Sequence, residues 1–127
     1  LTGDITVARK GFAEKYPDLV MKYIASEIKA VAFYNSDPEE AAAAVSRQFN
    51  FPQAEAKRQT KSLVILTGEE QISSSYMGTQ GIIGDLASVL KATADFLVTQ
   101  KTIKYAPEVE AFKAALHPEF IEQALGQ

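Results

Sequence analysis

Apolar positions along this chain recur mostly at three- and four-residue spacing, the period of a helix with one buried face. Leu19, Val20, Tyr23, Ile24, Ile28, Val31 and Ala32 follow that rule, with Asp18, Lys22, Glu27 and Lys29 between them. They predict an amphipathic helix from Pro17 to about Tyr34, since a proline is well tolerated where the first N–H lacks a partner anyway. Asp37-Pro38-Glu39-Glu40 reads as a second start, with Asp37 as cap and Glu40 reaching back to it, followed by an alanine run to Asn50. Pro52 opens a third helix through about Lys61, and Ser62-Leu63-Val64-Ile65-Leu66 is read as its buried end in preference to a short strand. Thr67-Gly68-Glu69-Glu70 is another capping box and starts a short helix. Residues 82–99 carry Ile82, Ile83, Leu86, Val89, Leu90, Thr93, Phe96 and Leu97 on one wide face and form the strongest predicted helix. Pro107 and Pro118 each open a further short helix, the last bearing Phe120, Ile121 and Leu125.

Only Ile5-Thr6-Val7-Ala8 reads as a strand, from its β-branched content, with at most a turn of helix after it over residues 10–16. The predicted class is mostly α: six or seven helices and one short N-terminal strand. Residues 1–127 form a single helical region with no repeat, low-complexity tract or linker.

Charge and inventory then remove whole classes of function. The net charge is −3 and the thirteen Lys and Arg residues make no basic stripe, so nucleic acid is not an expected partner. The chain has no cysteine and one histidine, His117, which argues against zinc, thiol nucleophiles and histidine general bases. Ser26-Glu27-Ile28-Lys29 matches S-x-x-K without the companion motifs of that chemistry and is read as chance. Glu39-Glu40 and Glu69-Glu70 sit in first turns, where carboxylates favour the helix dipole. No catalytic residue, metal or cofactor is expected.

The helical pattern breaks at "SSSYMGTQG", residues 73–81. Gly78, Gly81 and Gly84 are three apart and lead toward the strongest helix, a spacing that lets backbone amides meet an oxyanion, with serine hydroxyls and Tyr76 as further donors. The same residues equally describe a plain corner between helices, with serines as caps and Tyr76 packed on a neighbour. Gly81 and Gly84 also match the G-x-x-G of an RNA-binding KH loop, whose sheet and basic groove are missing.

Four blocks in order, "ITVARKGFAEKYPDLVMKYI", "LTGEEQISSSYMGTQG", "LASVLKATADFLVTQKTIKYAP" and "HPEFIEQAL", are spread along the chain between residues 5 and 125. Together they resemble the C-terminal portion of periplasmic solute-binding proteins serving the taurine, aliphatic sulfonate and nitrate ABC importers, with the taurine branch closest at Tyr76 to Thr79. The resemblance implies the C-terminal part of a two-lobed α/β periplasmic binding protein fold (type II), a non-enzymatic receptor. Such a receptor closes on a small anionic solute, taurine or a related sulfonate, and delivers it to an ABC permease in the membrane. It also implies a periplasmic location, or a lipid anchor outside the cytoplasmic membrane, and places Ser74, Ser75, Tyr76, Gly78 and Thr79 at the ligand-binding corner. The family's N-terminal lobe and most of its second sheet have no counterpart in these residues. A piece without that sheet is expected to expose apolar surface and to form a homodimer or domain swap. A free-standing helical module that binds protein partners is the alternative.

Overall fold

The computed structural model describes residues 5–126. The protein is mostly α-helical, with eight helices and one small hairpin among those residues: α1 (Lys10–Lys15), α2 (Pro17–Ser36), α3 (Pro38–Phe49), α4 (Gln53–Lys61), α5 (Gly68–Gln71), β1 (Gly78–Thr79), β2 (Ile82–Ile83), α6 (Leu86–Thr99), α7 (Val109–Ala115) and α8 (Glu119–Leu125). No described helix is long and apolar enough to cross a membrane.

The helix boundaries follow local chemistry. Pro17 opens α2, and Asp37 both closes α2, donating its N–H to Phe33 O at 2.9 Å, and caps α3, accepting the Glu40 N–H at 3.0 Å. Glu40 does not reach back as in a capping box: its carboxylate accepts from Arg47 Nη2 at 2.9 Å, two turns further along the same helix face. Asn50 ends α3 in the left-handed region (φ 56°), a conformation asparagine tolerates, and Ser46 Oγ donates to Phe51 O at 2.5 Å as the chain turns toward α4. The full capping box forms at α5, where Thr67 Oγ1 accepts the Glu70 N–H at 3.2 Å and Glu70 Oε2 accepts the Thr67 N–H at 2.7 Å.

Small residues make most of the interior. Ala41, Ala42 and Ala56 are buried where α3 meets α4, and Lys57 pairs with Glu39 across the same contact. Ala87 and Ala94 line the inner side of α6, and Leu86, Ile121 and Pro118, the last fully buried, are the larger apolar side chains buried among the described residues. Gly68 is buried at the start of α5, where a Cβ would lie 2.8 Å from Leu125 Cδ2 and 3.3 Å from Ile28 Cδ1, so α5, α8 and α2 converge there.

Three sequence expectations fail for reasons the packing makes plain. Residues 5–8 form no ladder, and Ile5 and Val7 lie exposed, because no described strand runs beside them. Leu63, Val64, Ile65 and Leu66 are not the buried end of α4: the helix stops at Lys61, the chain turns through Ser62 and Leu63 and runs on without regular structure, Val64 being 90% exposed. Ile82 and Ile83 pair with Thr79 and Gly78 in an antiparallel hairpin, and α6 begins only at Leu86.

The surface is large for the mass. A compact monomer of 13.8 kDa exposes about 6,600 Å². This chain exposes 9212 Å². The amphipathic α2 contains no buried residue at all, and Leu19 and Tyr23 on its apolar face are about half exposed.

One titration follows from α4. Arg58 donates from Nε and Nη2 to the Glu55 carboxylate at 2.9 and 2.7 Å, and Gln59 Nε2 adds a third bond at 2.7 Å. Those bonds, Arg58's first, hold the Glu55 carboxyl at about 2 against an ordinary 4.5. A depressed carboxyl pKa means that this contact supports the fold above the ordinary value and is lost as pH falls through about 2. The pair is exposed, so salt weakens it. The Glu55 side-chain carbon shift should titrate near 2 in dilute buffer and move toward 4.5 in Arg58→Ala; an unmoved midpoint would show that Arg58 is not the cause.

Candidate functional site

The corner begins where α5 runs out. Ser73 Oγ donates to Glu70 O at 2.7 Å and lies 3.1 Å from Ser75 Oγ, so two of the three serines are engaged locally. The chain then folds over itself. Tyr76 and Gly78 N–H groups both donate to Ser73 O, at 3.0 and 2.9 Å, and the Met77 N–H donates to Gln71 O at 3.0 Å. Gly78 adopts φ +79° and starts β1, and Gln80-Gly81 makes the two-residue loop, Gly81 taking φ +86° as the third residue of a type II turn does.

The returning strand closes the knot. Gly84, Asp85 and Leu86 N–H groups donate to Met77, Ser74 and Tyr76 carbonyls, each at 2.9 Å. A Cβ on Gly84 would lie 2.5 Å from Tyr76 O and 2.6 Å from Ser74 O, so glycine is needed there for the backbones to pass. From the other end of the chain, Glu122 in α8 accepts the Gln80 N–H at 3.1 Å. A carboxylate therefore already occupies the hairpin tip.

The expectation that Gly78, Gly81 and Gly84 lead straight into a helix and present open amides is thereby corrected. A hairpin intervenes, and the amides of residues 76–78 and 84–86 are spent on the corner itself. Ala87 and Ser88, in the first turn of α6, have N–H groups that meet no backbone acceptor among the described residues.

No protein-family model matches the chain, and no curated protein and no solved structure matches it. Ser74 and Ser75 are exposed, Tyr76 and Thr79 half-buried, and Gly78 buried. The Ser74, Tyr76 and Thr79 hydroxyls carry no hydrogen bond among the described residues, so they are the donors the corner keeps available, Tyr76 and Thr79 being the half-buried ones. Asp85 is exposed at the mouth of α6 and makes no cap bond. Hydroxyl donors and carboxylates thus stand on the same short stretch. Sequence reasoning missed Glu122, because a contact 42 residues away leaves no local signal.

Other chemistry is sparse. No group of three or more His, Asp or Glu residues capable of holding a metal occurs among the described residues. His117 is exposed, its Nδ1 2.7 Å from Glu119 Oε1 and its ring tilted against Phe120 at 6.2 Å between centroids.

Proposed function

We propose that this chain is part of the substrate-binding component of an ABC importer for taurine or a related sulfonate, acting outside the cytoplasmic membrane without covalent chemistry. The observation that carries the reading is the corner at residues 73–86. The segment that resembles the taurine-receptor motif folds into one self-braced unit and leaves the Tyr76 and Thr79 hydroxyls unspent. Taurine is a zwitterion, with a sulfonate that takes donors and an ammonium that takes acceptors. Tyr76 and Thr79 supply the first, and Asp85 the second; a bare anion such as sulfate would meet that carboxylate unfavourably. The surplus surface fits a piece of a two-lobed protein, whose α2 and α6 faces would pack against a sheet. Delivery to a permease and the absence of enzymatic activity belong to the same proposal.

Calorimetry of the protein as the cell produces it, with taurine, ethanesulfonate and sulfate, tests this. Taurine is expected to bind best, ethanesulfonate and sulfate more weakly. Tyr76→Phe and Thr79→Val should each weaken taurine by about tenfold, the worth of one buried hydrogen bond. No heat with any of the three would overturn the reading. The same surplus surface also favours a second reading, a helical module for protein partners, and a folded protein silent to every sulfonate would leave that one standing.

A further inference from the structure

α2 is apolar on two sides. Val20, Ile24, Ile28 and Val31 are half-buried on one of them, where Ile28 reaches Gly68 of α5 beside Leu125 of α8. On the other side Leu19, Tyr23, Ser26, Ala30 and Phe33 are all exposed, Leu19 by 52%, Tyr23 by 51% and Phe33 by 43%. They follow one another at alternating four- and three-residue steps, the d-a-d-a-d order of a coiled-coil seam. Ser26 does not interrupt the seam, because its Oγ donates to Tyr23 O at 2.6 Å within the helix and brings no unpaired donor to it. The same register puts Lys22 and Lys29 at g positions on one edge and Glu27 at an e position on the other. All three are exposed, and none forms an ion pair among the described residues.

We propose that this seam packs on the same seam of a second copy, as two parallel α2 helices related by a two-fold axis. The charges choose the direction. In a parallel pair each g residue lies beside the e residue five positions further on in its neighbour, so Lys22 meets Glu27 of the copy, and the two-fold axis repeats the contact. In an antiparallel pair the g edges face each other, and a seam centred on Ser26 would set Lys22 against Lys29 of the copy. Small side chains at Ser26 and Ala30 let the two backbones approach in the middle, and Leu19 and Phe33 close the ends. From Leu19 to Phe33 the seam runs about 21 Å and takes only part of the surplus of about 2,600 Å² over a compact monomer. Two heptads make a contact at the low end of interface sizes, so the association is weak and concentration-dependent. The seam shares no residue with the corner at residues 73–86. A sheet, in the receptor reading, would cover the half-buried side of α2 and leave the seam to the copy.

Sedimentation equilibrium of the protein as the cell produces it, from about 10 to 500 µM, tests this. The average mass should rise from one protomer toward two across that range. Ala30→Glu, at an exposed helical position, should hold the mass at one protomer with an unchanged circular dichroism spectrum. Lys22→Glu should weaken the dimer by about tenfold, and Lys22→Glu with Glu27→Lys should restore it. Tighter association in Lys22→Glu alone would overturn the parallel arrangement, since relief of the Lys22–Lys29 repulsion in an antiparallel pair gives that sign. A parent protein that stays at one protomer throughout overturns the proposal and leaves the seam for a sheet or a different protein. A dimer that survives Ala30→Glu overturns it by moving the contact off this face of α2. None of these results bears on the sulfonate reading, which calorimetry tests separately.

Discussion

Gly78→Ala is expected to unfold the corner and to lower global stability by about 3–5 kcal/mol, among the largest single effects available in this chain. Two penalties coincide at that residue. Its φ of +79° lies in the left-handed region, where a Cβ crowds the following carbonyl and costs about 1–2 kcal/mol. That Cβ would also fall well inside contact distance of the Ile82 carbonyl oxygen and the Gly84 nitrogen, which are backbone atoms of the facing strand and cannot swing aside. Gly81→Ala is the matched control. It has the same sign of φ, +86°, but nothing within 4 Å of the added carbon, so only the conformational cost of about 1 kcal/mol applies. Urea denaturation of the two variants should separate them by at least about 2 kcal/mol. Equal midpoints would mean that the strands do not cross this closely in the folded protein.

That pair of glycines also shows what the sequence could and could not disclose. Helix starts were legible because their signals are local: Pro17, Asp37 and Thr67 act within three residues of where they stand, and α2, α3 and α5 begin beside them. The hairpin was not, because each strand has only two residues, too few for any period to register, and Ile82-Ile83 extends an apolar face in either conformation. The signal that existed was Gln80-Gly81, a two-residue loop with glycine second. For residues 63–66 the β-branched pair Val64-Ile65 favoured a strand, while continuity with α4 favoured a helix; with no partner strand the segment became neither. The candidate site was legible as a place and not as a geometry. Its residues lie within a dozen positions of one another, but which amides remain free depends on backbone bonds that only the folded hairpin makes.

Ile121→Ala is expected to cost about 2–5 kcal/mol, a large part of the 5–15 kcal/mol that holds a typical domain. Ile121 is 5% exposed and Leu86 is 7% exposed, and the other buried apolar side chains described are Pro118 and alanines. An interior made mainly of methyl groups has few large side chains to lose, and its helix backbones are too close to move inward and fill the space. Ile121 also fixes α8, whose Leu125 packs on Gly68 of α5 and whose Glu122 accepts the Gln80 N–H at the hairpin tip. Loosening α8 therefore reaches the corner as well as the core. The melting temperature of Ile121→Ala should fall by on the order of 10 °C, and hydrogen exchange at the Gln80 amide should accelerate in step with it. Ile82→Ala, which removes an equally large side chain that is 73% exposed, should stay within about 0.5 kcal/mol of the parent. If Ile121→Ala proved as mild as Ile82→Ala, α8 would not be anchored to the rest of the fold through this residue, and the Glu122 contact at the hairpin tip would lose its support.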